Sequence, residues 1–447
     1  MNTAKHPLLR RLFPIVAAAG CVLASTAYAT DGYFLQGFGA VNAALGGAAT
    51  AGNDQDLIGS IYKNPSTAIL FPDREFSIIF GDVLPSAQID SSVVLPGLGQ
   101  ISGSSKSTVS NVPYLSLMGI WKQPNDPNTA WFFGVVSEAG LNFHIATSAT
   151  NPIFFPQPGS AYNPFGGQFG GFGDVRSSLY VIRIPIGAAV QQGPLSWGFE
   201  LAPSIGRNLF TPAAFAAPGI GADMAPIYPT VQQDDVKFGL GAQGGLRYEV
   251  DKSLSVGASI STPTWFETYT WTVHDPSGDT RTVSVRFNRP LTAEAGLNYA
   301  IAPTTHLLAD VGYIAYGSTP GFENSGYRAD GSLAGLGWTD AWTFEVGLQH
   351  AFTKDVVGRI GYNYCSDPIS DSMTFYNVGS PLHLEQHLSV GLSVNVTANA
   401  TLDVSYTHGF SHSQSGPWYN PLGAVPGTSV TSTISGDEFA IGTTFRF

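Results

Sequence analysis

From about residue 73 onward, apolar and polar side chains alternate with a period of two. Leu388, Val390, Leu392, Val394 and Val396 are separated by Ser389, Gly391, Ser393 and Asn395. Trp342, Phe344, Val346 and Leu348 alternate with Thr343, Glu345, Gly347 and Gln349. Leu291, Ala293, Ala295, Leu297 and Tyr299 alternate with Thr292, Glu294, Gly296 and Asn298. At the C-terminus Phe439, Ile441, Thr443, Phe445 and Phe447 share one face, and Ala440, Gly442, Thr444 and Arg446 share the other. Successive side chains of a strand point to opposite faces. Each segment therefore has one apolar face and one small or polar face. A soluble sandwich would carry more Lys and Glu on its polar face than Gly, Ser and Thr. The pattern, closed by a terminal aromatic, predicts an all-β protein, a transmembrane antiparallel β-barrel.

The alternation divides into about fourteen strands, an even number as bacterial barrels require. The spans are 74–90, 107–122, 129–146, 175–192, 194–208, 234–250, 253–268, 281–301, 304–317, 340–352, 354–366, 383–397, 399–412 and 430–447. Short connections such as Val250-Asp-Lys252, Phe352-Thr-Lys354 and Val396-Thr-Ala-Asn399 alternate with long ones rich in Gly, Pro, Ser and Asn. Short turns on one side and long loops on the other match the periplasmic and external ends of such a barrel. The loops near 147–173 and 209–233 are unusually apolar, with Phe154, Phe155, Phe165, Phe210 and Phe215. They either pack the loops together or form an exterior groove for apolar ligands.

Residues 30–72 break the pattern. Small residues and helix-length apolar spacing predict a compact helical and irregular piece, sized to plug a lumen that would otherwise be a water-filled channel. Residues 1–29 read as a cleaved signal peptide: Lys5, Arg10 and Arg11, an apolar run, then Ala27-Tyr28-Ala29. The expected organisation is signal peptide 1–29, hatch 30–72 and barrel 73–447. Loss of those three cations takes the formal charge from −12 to −15. Only 12% of residues are charged, about half the usual soluble fraction. The acidic balance excludes a nucleic-acid partner, which needs a basic stripe. Cys365 alone remains after cleavage, so no internal disulfide is expected.

Chemistry is sparse. Gly239-Leu-Gly-Ala-Gln-Gly244 has dinucleotide-site spacing but sits inside an alternating strand, where glycine leaves lumen space. His383, Glu385 and His387 share one strand face, and no ion is surrounded by one strand alone. No catalytic motif stands out, so no enzyme, metal or cofactor is expected. Lys237, Arg247, Arg286 and Arg359 fall at inward positions and are candidates to meet a cargo carboxylate in the lumen. The alternative is that they pair with inward Glu249, Glu294 or Glu345, which would favour a neutral cargo.

Several short motifs occur in a fixed order. A Gly-Tyr-Phe start precedes Leu45-Gly46-Gly47-Ala48, an Asn/Asp cluster at 53–56, and Asn64-Pro65-Ser66 before the first strand. Ile360-Gly-Tyr-Asn-Tyr-Cys-Ser-Asp-Pro368 and Glu385-Gln-His387 follow late in the chain. This order resembles the FadL/TodX family of outer-membrane transporters for long-chain fatty acids and hydrocarbons, with Ser66 departing from an Asn-Pro-Ala motif. The resemblance implies passive transport of a hydrophobic small molecule through loop capture, lumen binding, hatch movement and lateral exit at an inward kink of the third strand. It implies a Gram-negative outer membrane, with lipid and lipopolysaccharide around a monomer. Thr30, Asp31, Asn64, Pro65 and Ser66 would be hatch residues, and Gly134 and Gly140 would shape the kink. A general porin and a non-transporting adhesin barrel are the other classes the pattern allows.

Overall fold

Seventeen strand segments hydrogen-bond edge to edge into one closed antiparallel barrel. Three crossings are each broken in two, which leaves fourteen strands among the described residues. This computed structural model describes residues 30–157, 170–211, 219–220, 226–228, 230–231, 233–274, 280–326, 328, 334–420 and 423–447. The strands are β1 (Arg74–Leu95), β2 (Gly99–Lys106 and Val112–Gln123), β3 (Asp126–Ile145), β4 (Val175–Arg183 and Ile186–Gln192) and β5 (Leu195–Thr211). They continue as β6 (Asp235–Glu249), β7 (Leu254–Ser261 and Trp265–Phe266), β8 (Thr292–Ala302), β9 (Thr305–Ile314) and β10 (Ala341–Thr353). The last four are β11 (Val356–Cys365), β12 (Gln386–Thr397), β13 (Ala400–Gly416) and β14 (Thr428–Arg446). β14 pairs with β1 from Thr428 against Val93 to Arg446 against Glu75, which closes the ring.

The alternation has the expected sense. Phe80, Leu115, Phe199, Leu240, Phe344, Val390 and Ile441 are exposed on the outside, where lipid would cover them. Trp121 lies opposite Trp131 near the short turns, and Tyr313 opposite Trp342 near the long loops, one aromatic girdle at each interface.

The strand expected at 281–301 is two elements. Thr280–Val285 folds back on Tyr269–His274, and Thr230–Val231 adds a third strand to this sheet outside the wall. Only from Thr292 does the chain join the barrel. Pro263 and Pro290 flank the break, and neither has an N–H for a ladder.

Inside the ring lies the N-terminal segment. The helices Ala40–Ala44 and Leu57–Lys63 and the 3-10 helix Pro65–Leu70 are almost wholly buried. Asp56 caps the second helix by accepting a hydrogen bond from the Gly59 N–H at 3.1 Å. Glycines on the inner wall let its backbone approach. A Cβ on Gly361 would stand 2.1 Å from Gly46 N, and one on Gly257 2.2 Å from Thr50 O. Polar side chains complete the fit: Arg247 Nε donates to Ala51 O at 2.9 Å, and Asn298 Nδ2 to Gly52 O at 2.8 Å.

Candidate functional site

The third strand changes phase partway up. In its lower half Trp131 and Phe133 face outward, while Ala130, Phe132, Val136 and Glu138 face inward and are fully buried. Its register against β4 shifts between Ser137 and Ala139. One extra residue swaps the two faces of a strand. Above the bulge Ala139, Leu141, Phe143 and Ile145 are therefore the buried residues.

The bulge sits beside an open seam. β2 and β3 pair by backbone from Gln123/Asp126 up to Leu117/Val135, and the ladder stops there. Just above, only the Ser137 side chain and N–H bridge the strands: its N–H donates to Ser116 Oγ at 3.1 Å and its hydroxyl to Leu115 O at 2.9 Å. Pro113, with no N–H to offer, lies on the β2 side of the gap. A cavity of about 570 Å³ occupies this place, within the usual range for ligand pockets. Leu35 of the N-terminal segment, Val112, Tyr114 and Ala139 line its inner part, and Gly140, paired with Tyr180 between inward-facing Ala139 and Leu141, lies on its outer side. Leu115, Ile182 and Val236, on the outer face, line the rest, so the cavity reaches from lumen to lipid side. Arg207 is the one cation among its described lining residues, and it is bonded to Asp234.

Below the cavity a buried ion cluster ties the bulge to the N-terminal segment. Glu138 Oε1 accepts from the Tyr62 hydroxyl at 2.6 Å, Arg289 Nε at 2.7 Å and Arg183 Nη1 at 3.3 Å. Arg183 also donates to Glu200 Oε1 at 2.5 Å and Gln243 Oε1 at 3.0 Å. Gln243 in turn donates to the carbonyls of Tyr62 and Lys63. Arg289 stacks over the Phe34 ring at 4.9 Å. Lys63 completes a second group, donating to Glu345 at 2.8 Å and Glu294 at 3.3 Å. Burial alone would pull the Lys63 ammonium down, but those two carboxylates outweigh it and hold it well above the ordinary lysine range. None of these groups is exposed, and unpaired buried charges would be costly.

Sequence reasoning missed Glu138, Arg183 and Arg289. The signal was present for Glu138: Val135 and Val136 are adjacent, and apolar residues resume at 139, 141 and 143, so the period slips by one. Arg183 follows Val181 on the inner face, which the alternation also gives.

The predicted cations have other partners. Lys237 pairs with Asp235 at 3.1 Å. Arg247 pairs with Glu249 at 3.8 Å, as the alternative reading expected, besides holding Ala51. Arg359 donates to Gln349 and Gln55 at 2.7 Å, so it braces the N-terminal segment. Arg286 does not face inward: it is exposed, while its neighbours Val285 and Phe287 are buried. The external hairpin that replaces the expected strand reverses its orientation. The expected pairing of Glu294 and Glu345 with wall cations is likewise replaced, since both meet Lys63.

Asn64 stands where the N-terminal segment meets the wall. Its Nδ2 donates to Thr50 O at 2.8 Å and Leu246 O at 2.9 Å, and its Oδ1 accepts from the Ser66 N–H and hydroxyl. Pro65 opens the 3-10 helix. Thr30 pairs with Leu35, and Asp31 accepts from Asn363 Nδ2 at 3.2 Å. The expectation that Gly134 shapes the kink is corrected: it lies in regular ladder against Met118, and the register shift centres on Glu138. Gly140 lies on the cavity instead. Phe154, Phe155 and Phe210 are buried, so they pack the loops together rather than present an exposed groove. Phe165 and Phe215 lie outside the described residues, as does the expected signal peptide. Gly239 to Gly244 fall within β6, in the wall and away from any helix.

A family model described as an outer membrane protein beta-barrel domain matches residues 210–379. The toluene transporter TodX of Pseudomonas putida superposes with a TM-score of 0.69 at 15% identity, covering 94% of this chain and 100% of its own. A FadL homologue of Pseudomonas aeruginosa gives 0.70 at 11% identity, covering 93% and 99%. The toluene transporter TbuX of Ralstonia pickettii gives 0.64 at 17% identity, covering 92% and 99%. This chain shares the fold of these outer-membrane barrels. No curated protein sequence matches it.

Proposed function

We propose that this protein is a passive outer-membrane channel for hydrophobic small molecules, releasing its cargo sideways through the barrel wall. The observation that carries this reading is the apolar cavity at the interrupted β2–β3 seam, lined by both inner-face and outer-face residues. An apolar solute crosses the lipopolysaccharide headgroups poorly, and a polar pore offers it no favourable surface. A wall gap lets it leave into lipid without passing through the lower lumen, which the N-terminal segment fills. That segment is read as a hatch, and Leu35 is the part of it that reaches the cavity.

The cargo is read as neutral, an aromatic or aliphatic hydrocarbon. The cavity offers no unpaired cation among its described lining residues, because Arg207 is held by Asp234. A carboxylate placed there would lose water without gaining a partner. TodX and TbuX, which share the fold, are toluene transporters. The test is uptake by cells lacking their own such transporter, with a labelled monoaromatic beside a labelled long-chain fatty acid. Saturable uptake of the monoaromatic alone is expected. Preferential uptake of the fatty acid would reject the neutral reading, and uptake of neither would reject transport.

A further inference from the structure

Asp367, His383 and His412 gather nitrogen and oxygen donors near the long-loop end of the barrel, away from the cavity. Their ligand atoms all lie within 4.8 Å of one another. Asp367 and His383 belong to the connection between β11 and β12, and His412 to β13. The row His383, Glu385 and His387, which one strand would present together, is thus split. His387 Nδ1 lies 3.1 Å from Asn363 Oδ1, while His383 turns to β13.

The geometry suits a cation. His383 Nδ1 stands 3.2 Å from His412 Nδ1. A tetrahedral ion bound about 2.0–2.1 Å from each of two imidazole nitrogens keeps them roughly 3.3 Å apart. His383 Nε2 lies 3.0 Å from Ser432 Oγ, so that nitrogen can carry the ring proton and leave Nδ1 with a lone pair. His412 Nε2 lies 3.7 Å from Glu385 Oε2, beyond hydrogen-bond distance but close enough for the carboxylate to favour a proton on that nitrogen. Asp367 Oδ2 is 3.8 Å from His412 Nδ1 and is itself oriented by Gln414 Nε2 at 2.7 Å. His412 Nδ1 also lies 2.8 Å from the His383 carbonyl oxygen. An ion at this nitrogen requires the His412 tautomer with its proton on Nε2, facing Glu385, and a turn of the ring that aims Nδ1 away from that carbonyl.

We propose that Asp367, His383 and His412 form a binding site for a divalent transition-metal ion of the zinc class, which pins the β11–β12 connection to β13. Two imidazoles and a carboxylate are a donor set such ions take. The pinned connection packs across the mouth: Phe375 meets Phe172 and Tyr419, and Asn377 Oδ1 accepts from Trp338 Nε1 at 2.7 Å. The ion would fix this cover in place.

The test uses the full-length protein in detergent, stripped with a chelator and dialysed against zinc alone. One zinc per chain is expected, with apparent affinity at least about tenfold weaker in His412→Ala and in Asp367→Asn. His412 is partly exposed, so its loss need not upset the barrel, and folding is checked by resistance to heat unfolding. Zinc should raise the melting temperature of the native protein and not that of His412→Ala. Absence of stoichiometric zinc, or zinc binding unchanged in both variants, overturns the assignment.

Discussion

Removing the hydroxyl of Tyr62 should loosen the N-terminal segment without touching the wall. In the native protein this hydroxyl donates to Glu138 Oε1 at 2.6 Å, and both groups are buried. A hydrogen bond to a charged acceptor is worth about 1.5–3 kcal/mol. Tyr62→Phe keeps the ring stacked on Phe38, whose centroid is 3.5 Å away, so the loss falls on the polar contact. The open population should rise about ten- to hundredfold, the same free energy expressed as a ratio. Lys63, buried and next in sequence, gives the readout: trypsin can cut after it only when the segment leaves its seat. Cleavage in the fast-reclosing regime follows the open population. Glu138→Ala should act more strongly, by about 3–5 kcal/mol, because it strips a carboxylate from two buried guanidinium groups. Arg183 keeps Glu200, so most of that cost falls on Arg289. In the Glu138→Ala background, Tyr62→Phe should add little. Cleavage within twofold of the native rate for both single variants would refute the coupling between bulge and segment.

Two further outcomes follow from the same packing. In Gly361→Val the new side chain meets Gly46 N and Leu45 C at about 2 Å, so the N-terminal segment must shift, and if it plugs the lumen as proposed small polar dyes should leak into cells; dye entry at the native rate would contradict that proposal. Burial raises the Asp56 carboxyl from 3.8 to about 7. Between those values the folded state holds a proton that the unfolded state has released, so this group's contribution to stability falls as pH rises through that window and is level above it. Asn caps helices as well as Asp, so the melting temperature of Asp56→Asn should decline less from pH 4 to 7 than that of the native protein. Parallel curves would show that Asp56 does not titrate there.

The wall was legible because lipid enforces it. Each strand must satisfy its backbone sideways and present apolar groups outward, so alternation and turn lengths survive in the sequence. The small residues of the inner face were legible too, and Gly361 and Gly257 show their reason: another backbone lies against them. The site was less so. A bulge costs one residue, and at Val135-Val136-Ser137-Glu138-Ala139 it is a slip in phase that a strand assignment reads through. The partners of Glu138 come from Tyr62, Arg183 and Arg289, which are far apart in the chain and meet only when the ring closes. Arg286 turns outward because alternation fixes sides only while the strand stays in the wall.

The measurement closest to the central claim is uptake of a labelled neutral monoaromatic with the seam blocked. A Cβ on Gly140 would stand 3.3 Å from Val112 Cγ1 and otherwise enter the cavity, so Gly140→Ile should fill it while the barrel still forms. Saturable uptake by the native protein is expected, with at least about a tenfold fall in the variant, comparable to losing about 1.4 kcal/mol of pathway free energy. Equal uptake by the two proteins, with both folded in the outer membrane, would contradict exit through this gap.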